Sequence, residues 1–400
     1  MISAIGSFFI SFPWPRALLF LLALVTFFPF LGKVHLFDWD EVNFAECARE
    51  MLVLQDFSRI YIDYKPFWEK PPFFFWLQAL SMQLFGVNEF AARFPNAVCG
   101  LVTLQYLFWL GKKISGSILG LFWALAYWGS FLPHFYFKTA IIDPFFNLFI
   151  IMGLTGLLIF YWKQRQYEGS EVFKFPGWIY LVAGGIALGL AFLTKGQVAL
   201  MLVFLCLLVY WTKVRFKAFI APAALIFYFS ISILVFLAWF GLEYAKNGIW
   251  FLEEFIKYQY RLFSTEDAGH GGFWGYHFVV ILVGCFPSSV WALRELLAST
   301  SGSRVDRNFQ QWMVILLGVV LVLFSIVQSK IIHYSSLAYF PVTFLAARFL
   351  EWHFNKLQER QSSVGAFLSR LRDNTDDQSF SMPRWQNFFL LGIGIIWGIA

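Results

Sequence analysis

The sequence predicts an all-α polytopic membrane protein, and two features of the chain carry this prediction. Hydrophobic residues make up 59% of the 400 residues and charged residues only 14%, which is too few polar side chains to cover a soluble globule. Long stretches without Asp, Glu, Lys or Arg also recur along the chain, and a transmembrane helix needs about 20 such residues. The sequence therefore favours a bundle of membrane-spanning helices.

Eleven stretches are long enough, or nearly so, to cross a bilayer. We interpret the first as a retained helix rather than a signal peptide, because no A-x-A-like cleavage site follows it. The last is still apolar where the chain ends, which suggests a truncated C-terminus. The predicted spans are 17–32, 94–111, 114–137, 144–162, 175–194, 196–212, 218–242, 271–293, 308–329, 331–347 and 385–400.

The positions of Lys and Arg predict the orientation of these spans. With the N-terminus in the cytoplasm, the cytoplasmic loops hold 18 of the 30 Lys and Arg residues, as the positive-inside rule requires. The net charge of +6 is then an orientation signal and gives no support for a nucleic-acid partner. We expect a multi-pass membrane protein with a cytoplasmic N-terminus.

The first outer loop, residues 33–93, is rich in charged residues within a chain that has few of them. Apolar residues recur at helical spacing over 40–54, which predicts an amphipathic helix on the membrane surface, capped by Asp38 or Asp40. A proline-rich aromatic segment follows, and the apolar stretch 73–85 is short enough to be re-entrant or interfacial.

Further outer segments are predicted at 138–144, 194–197, 243–270 and 329–334. The longest cytoplasmic loop, 348–384, is polar and has only 37 residues. A nucleotide-sugar-binding domain needs about 100 residues or more, so we expect no nucleotide cofactor.

Three outer carboxylates are candidates for acid–base chemistry. Asp40 and Glu41 follow the first span, and either could serve as a general base that removes a proton from an acceptor hydroxyl. Asp143 precedes Pro144 and is the third candidate. Each of the three could instead be a helix cap or a solvated carboxylate.

The cations near the outer ends of the spans predict a phosphate site. A single lysine near a bilayer often only reaches toward lipid headgroups, but several of them beside carboxylates favour a bound anion. The tyrosines among these residues could donate hydrogen bonds, or could simply belong to an interfacial aromatic belt. The candidate donor-binding residues are Lys70, Lys195, Arg261, Lys330, Tyr64 and Tyr334, with Lys138 bordering the same face.

A divalent metal is a weaker prediction. Glu69, His270 and His333 combine a carboxylate with imidazoles, which suits Zn or Mn, and Mg is a further option. Glu69 and His270 are the expected ligand pair.

Several motifs resemble one family. WDEVNFAECAREM at 39–51, EKPP at 69–72, the Asp143–Pro144 turn, FLTKGQVAL at 192–200, GHGGFWGYH at 269–277 and SKIIHYSSLAYFP at 329–341 occur in a consistent order. This pattern is similar to the ArnT-type aminoarabinose transferases and the bacterial relatives of the dolichyl-phosphate-mannose protein mannosyltransferases, within the GT-C superfamily. The resemblance spans residues 30 to about 345.

The resemblance implies one GT-C transmembrane glycosyltransferase domain over 1–400, in a bacterial inner (plasma) membrane. Such a protein takes a sugar from a polyprenyl monophosphate, for example undecaprenyl phosphate, and passes it with inversion to a periplasmic lipid A, glycan or protein. It implies Asp40 as the essential acid, Asp143 as the second acid, Lys70 as the phosphate-contacting lysine, Lys195 as the lysine of the TKG turn, and Glu69 as a metal ligand. His270 matches the second metal-ligand position less well.

A transporter or flippase of polyprenyl-linked glycans is the main alternative. Transporters place ionisable groups near the bilayer midplane and show repeated halves, whereas the groups here border one face and no internal repeat is evident. A glycan polymerase or ligase is a third option, and the DE and EKPP motifs argue against it.

Overall fold

The computed structural model describes residues 14–37, 39–264, 271–296 and 302–372. Within these ranges the chain is helical, apart from loops and one hairpin that pairs Tyr61–Ile62 antiparallel with Lys65–Pro66. The predicted all-α class is therefore confirmed. The helices are α1 Trp14–Phe27, α2 Asp40–Leu54, α3 Phe73–Phe85, α4 Glu89–Ile114, α5 Ser117–Trp128, α6 Phe131–Tyr136, α7 Asp143–Gln164, α8 Gly177–Lys195, α9 Val198–Lys213, α10 Pro222–Asn247, α11 Trp250–Ser264, α12 Tyr276–Gly284, α13 Ser288–Leu296, α14 Arg304–Ile326 and α15 Tyr339–Arg372, with 3-10 turns at Ser170–Val172 and Ile332–Ala338.

Four described helices, α7, α8, α10 and α14, are long and apolar enough to cross a membrane unbroken. Helices α12 and α13 together form a fifth such segment, bent by 115°. Helices α1, α3, α5 and α9 are apolar but have only 10–17 residues. By length and composition, this count is below the eleven spans predicted, because several of the predicted stretches are short, broken or charged at an end.

Besides the bent segment that corresponds to 271–293, two predicted spans differ from the structure. The stretch 114–137 is divided into α5 and the short α6, with the break at Gly129 and Ser130. The stretch 331–347 begins as the 3-10 turn Ile332–Ala338 and becomes α-helical only at Tyr339. The predicted last span, 385–400, lies outside the described residues.

Two predicted loops are largely helical. The segment 348–384 was expected to be a polar cytoplasmic loop, but α15 continues through it to Arg372, and 373–384 lies outside the described residues. In the segment 243–270, α10 runs to Asn247 and α11 occupies most of the remainder. Helix α11 and the part of α15 up to residue 359 carry exposed polar residues. A hydropathy criterion alone therefore predicts loops there.

Helix α2 has the predicted bounds but a different environment. Its apolar residues Phe44, Cys47, Ala48 and Met51 are fully or almost fully buried, and they pack on protein, including α3, rather than lying on a lipid surface. The predicted cap by Asp40 is also wrong, and Asp38, the other predicted cap, lies outside the described residues. Trp39 occupies the N-cap position without a side-chain hydrogen bond, and Asp40 is the first helical residue.

Close packing of α7 on α8 determines where the polar ends of these helices lie. A Cβ atom added at Gly156 of α7 would lie 2.5 Å from the carbonyl oxygen of Tyr180 and 2.7 Å from Cα of Gly184, both in α8. Only glycine permits backbones to approach this closely, as is common between membrane helices. Gly153 of α7 faces Leu188 of α8, whereas Gly156 faces Tyr180, so the two helices run antiparallel. The beginning of α7 and the end of α8 therefore lie at the same end of the bundle.

Candidate active site

A buried ion pair joins the first residue of α7 to the last residue of α8. Nζ of Lys195 lies 2.6 Å from Oδ1 of Asp143, and only 2% of the Asp143 side chain is exposed. Asp143 was weighed as a possible helix cap, but Ile142 is the N-cap residue, and the carboxylate pairs with lysine instead. The antiparallel packing of α7 and α8 therefore brings together two residues that are 52 positions apart.

His333 brings a second carboxylate to this pair. Its Nε2 atom lies 3.5 Å from Oδ2 of Asp40 and 3.9 Å from Oδ2 of Asp143. His333 belongs to the 3-10 turn between α14 and α15, and Asp40 begins α2. Three distant parts of the chain thus meet around one imidazole ring.

Lys70 borders the same group of residues. Its Nζ atom lies 3.4 Å from the hydroxyl of Tyr258 and 4.8 Å from the centre of that ring, and the guanidinium of Arg261 lies 5.2 Å from the same ring. The positive charge of Lys70 also acts on the pKa values of His333 and Tyr334. We define the charged cluster as Asp40, Lys70, Asp143, Lys195 and His333.

Tyr334 and α11 line the charged cluster. The ring of Tyr334 lies 5.0 Å from Nζ of Lys195, and burial raises the pKa of its hydroxyl, which keeps it a neutral hydrogen-bond donor. Gly196 follows Lys195 with a φ of +83°, and a Cβ there would lie 2.2 Å from the ring of Phe255. Glycine at 196 therefore lets α11 pack over the end of α8, which brings Tyr258 toward Lys70.

The two carboxylates of the charged cluster differ in exposure. The Asp40 side chain is 29% exposed, whereas that of Asp143 is 2% exposed and is already paired with Lys195. A group that removes a proton from a substrate must be within hydrogen-bond reach of it. The Asp40 carboxylate is exposed enough to be approached by a substrate, whereas Asp143 is placed to act on its neighbours through its charge.

Glu41 lies apart from this chemistry, contrary to its assignment as a catalytic candidate. Its carboxylate accepts hydrogen bonds from Nε and Nη2 of Arg93 at 3.1 and 2.8 Å. The backbone N–H groups of Phe37 and Ala140 donate to it at 2.7 and 2.5 Å. With four donors and 2% exposure, Glu41 fastens the loop before α2 to α4 and to the segment before α7.

Lys330 and Tyr64 are not placed as the phosphate-binding prediction expected. Nζ of Lys330 is buried and donates to the carbonyl oxygens of Phe324, Ser325 and Val327, so it caps the end of α14. Burial also lowers its pKa. Tyr64 lies at the tip of the hairpin, where its exposed hydroxyl is 3.5 Å from Arg49. Lys138, outside the cluster definition, is half-buried, and desolvation lowers its pKa.

Few of the described side chains are placed to bind the predicted metal ion. Glu69 is partly exposed, with Nζ of Lys70 at 4.0 Å, and His270 lies outside the described residues. In the described part of the chain, no three His, Cys, Asp or Glu side chains are grouped closely enough to hold a metal ion. Divalent-metal binding at Glu69 and His270 stays a prediction.

His333 and Tyr258 have more central positions than the sequence indicated. The sequence points to His333 only as a metal ligand, and Tyr258 is not among the candidate donor-binding residues that it indicates. The sequence feature that could have indicated His333 is its position beside Tyr334, a candidate donor-binding residue in the same short turn. No spacing along the chain relates it to Asp40, which is 293 positions away.

Comparison with known proteins gives an independent result. Residues 69–239 match the family described as dolichyl-phosphate-mannose-protein mannosyltransferase. Undecaprenyl phosphate-alpha-4-amino-4-deoxy-L-arabinose arabinosyl transferases are 26% identical over 80% of this chain in Wigglesworthia glossinidia brevipalpis, and 27% identical over 84% in Edwardsiella ictaluri. The chain spans 56% and 58% of the length of these two relatives.

Solved structures show the same fold. ArnT from Cupriavidus metallidurans bound to undecaprenyl phosphate is similar with a TM-score of 0.72 and 21% identity, covering 95% of this chain and 69% of that one. The archaeal oligosaccharyltransferase AglB from Archaeoglobus fulgidus is similar at a TM-score of 0.54 and 12% identity, covering 96% and 55%. The predicted GT-C fold is thereby confirmed. By family match, relatives and fold together, the chain is similar to the ArnT-type members of the GT-C glycosyltransferases.

Proposed function

We propose that this protein is an inverting glycosyltransferase that moves a sugar from a polyprenyl monophosphate carrier to an acceptor at the membrane surface. The observation that carries the proposal is the charged cluster, in which an accessible carboxylate, Asp40, lies beside lysines and a tyrosine that suit a phosphate. The related arabinosyl transferases act from an undecaprenyl phosphate donor, and one similar structure is bound to undecaprenyl phosphate, which supports undecaprenyl phosphate as the carrier here.

The transfer step needs a base on one side of the sugar and cations on the other. Asp40 takes the proton of an acceptor hydroxyl, and that oxygen forms a bond to the anomeric carbon of the sugar. The bond between the anomeric carbon and the phosphate oxygen breaks, and its electrons leave with polyprenyl phosphate. Lys70, with Tyr258 and Tyr334 nearby, stabilises the charge that develops on the departing phosphate.

Asp143 and Lys195 act on this step through position and charge. Their ion pair neutralises Lys195, so Lys195 adds less positive charge to the phosphate site than the sequence suggested. The pair fixes the beginning of α7 against the end of α8, and these two helix ends lie beside His333 and Tyr334. We therefore assign Lys70 the main phosphate contact, and Asp143 and Lys195 the role of holding the site together.

The acceptor, the sugar and the orientation are parts of the proposal. A lipid A, another envelope glycan or a protein on the periplasmic side would each present a hydroxyl or a similar nucleophile to Asp40. The distribution of Lys and Arg supports a cytoplasmic N-terminus and a periplasmic site. The low polarity of α7 to α10 supports lateral access of the lipid donor from the bilayer.

Two measurements test the proposed function. Mass spectrometry of membranes from a deletion strain should show accumulation of a polyprenyl-phosphate sugar and loss of that sugar from an envelope glycolipid, glycan or protein. Purified protein mixed with this lipid extract and with envelope acceptor should release free polyprenyl phosphate. Accumulation of a finished glycan on its carrier, without release by the purified protein, would support a flippase and contradict an enzyme.

A further inference from the structure

His333 has an unusual relationship to the two carboxylates of the charged cluster. Its Nε2 atom faces Oδ2 of both Asp40 and Asp143, at 3.5 and 3.9 Å. Neither distance is a hydrogen bond, since such bonds between nitrogen and oxygen are about 2.7 to 3.2 Å long. One ring nitrogen is thus placed to engage either carboxylate after a shift of less than about 1 Å.

The buried oxygen of Asp143 that faces His333 has no other partner. Oδ1 of Asp143 accepts from Lys195, whereas Oδ2 is buried and makes no hydrogen bond within the described part of the chain. A buried carboxylate oxygen without a donor is costly, so Oδ2 would gain from a donor that comes within reach. An N–H at Nε2 of His333 is the nearest group that could supply it.

The turn that carries His333 is held from the same helix as Asp143. Oγ of Ser336 donates to the carbonyl oxygen of His333 at 2.5 Å, and Nδ2 of Asn147 donates to that Oγ at 2.8 Å. Asn147 follows Asp143 by one helical turn, so both lie on one face of α7. Asn147 and Ser336 therefore fix the backbone of His333 relative to Asp143, while the ring can still move.

We propose that His333 is a proton relay, which receives at Nε2 the proton that Asp40 takes from the acceptor. The relay rests on the proposed glycosyl transfer and adds one step to it. The O–H bond of the acceptor breaks as an O–H bond forms on Asp40. That bond then breaks as the N–H bond forms on His333, so Asp40 is an ionised base again and an imidazolium lies between two carboxylates.

The charges around His333 fit this role. Asp40 from α2 and Asp143 from α7 face it, and Lys195 from α8 and Lys70 from the loop before α3 act on it from further away. His277 from α12 is close enough for the charges of His333 and Lys330 to act on it. Both carboxylates face the same ring nitrogen, so that nitrogen can receive a proton from Asp40 while it lies beside Asp143. The carboxylate of Asp143 then stabilises the imidazolium once it forms.

The test compares His333→Gln with His35→Gln in the purified full chain. His35 is an exposed histidine, paired with Glu89, outside the charged cluster. The assay follows release of polyprenyl phosphate from the donor lipids of the deletion strain, between pH 5 and pH 9. We expect His333→Gln to lower kcat about tenfold or more with an unchanged KM for donor, because a missing proton carrier slows only the chemical step. His35→Gln should stay within about twofold of the wild type.

The pH profile separates a relay from a structural role. In the wild type, kcat should fall on the acid side as His333 becomes protonated, with an apparent pKa below the ordinary value of about 6.5. That limb should be absent in His333→Gln. Ser336→Ala keeps the imidazole but loosens the turn that carries it. This variant should therefore lower kcat less than His333→Gln and keep the acid-side fall in kcat. It also provides the test of the relay if His333→Gln does not fold.

Each other outcome has a defined meaning. A His333→Gln enzyme with wild-type kcat at every pH overturns the relay, as does a loss that is uniform in pH and accompanied by a higher donor KM. If Asp40→Asn releases polyprenyl phosphate as fast as the wild type, Asp40 is not the base and the relay fails with that role; if the wild type releases none, the proposed function itself fails. If Asp40→Asn is inactive while His333→Gln is unaffected, only the relay is wrong.

Discussion

The ammonium group of Lys195 lies 2.6 Å from the carboxylate of Asp143, at the point where the end of α8 meets the beginning of α7. This contact joins the segments 138–144 and 194–197, each of which carries charged residues that the sequence predicts for the site. It also neutralises a lysine that, unpaired, would compete for the phosphate. The ion pair is therefore the structural centre around which Asp40, Lys70 and His333 are arranged.

We first predict that the Asp143–Lys195 pair is needed for stability as well as activity. Lys195→Met should leave a buried carboxylate unpaired and lower the free energy of unfolding by about 3 kcal/mol. The double variant Asp143→Asn with Lys195→Met should recover much of that loss but remain poorly active. Thermal unfolding in detergent measures the first effect, and donor turnover the second. A double variant as unstable as Lys195→Met would show that the pair is not coupled.

A second prediction concerns Lys70. Lys70→Ala should raise the KM for the lipid donor about tenfold and leave the acceptor KM almost unchanged, because a charge-assisted hydrogen bond contributes about 1.5 to 3 kcal/mol. Lys65→Ala is the matched control, since Lys65 is exposed and paired with Asp63 at the hairpin. Steady-state kinetics with donor and acceptor varied separately check this. Equal changes in both KM values would contradict a phosphate role.

For Glu41 the structure predicts a folding defect rather than a chemical one. Glu41→Gln should leave the buried guanidinium of Arg93 without its counter-charge, which costs about 3 kcal/mol or more of stability. The protein that does fold should keep a kcat within about threefold of the wild type. Thermal unfolding and active-site-normalised turnover separate the two effects. Normal stability with a collapsed kcat would instead make Glu41 a catalytic residue.

Lys330 gives a prediction of the same kind. Lys330→Met removes the donor that three carbonyl oxygens at the end of α14 share, so thermal stability should fall by about 1 to 3 kcal/mol. The KM for the lipid donor should not change, because the ammonium points into the helix end and not toward Lys70. A selective rise in donor KM, with unchanged stability, would show that Lys330 binds phosphate after all.

Part of this site could be predicted from the sequence. Asp40, Lys70, Asp143 and Lys195 were assigned to one face because the alternation of apolar spans and short polar turns determines which turns share a side of the membrane. The family resemblance named the same four residues. These four were chosen for their charge, and membrane proteins place charged residues mainly at interfaces and functional sites.

The roles of Glu41 and Lys330 and the positions of the helix breaks could not be predicted. They depend on residues distant in the chain, on contacts with backbone carbonyl groups, or on packing. Glu41 is adjacent to Asp40 in sequence, yet one helical step turns it by about 100° toward Arg93. Lys330 binds carbonyl oxygens, which are present at every residue and leave no mark in a sequence. The breaks at 129–130 and between α12 and α13 depend on packing, so hydropathy joined each pair of segments into a single span.

The turnover of Asp40→Asn, compared with that of Asp63→Asn, tests the central claim most directly. Asp63 is an exposed carboxylate paired with Lys65, outside the charged cluster. Both variants would be purified, checked for an unchanged thermal transition, and assayed for release of polyprenyl phosphate in the presence of acceptor. We predict that Asp40→Asn loses at least about 100-fold in kcat, as expected for removal of a general base, and that Asp63→Asn matches the wild type. Equal activity of the two variants would contradict the account.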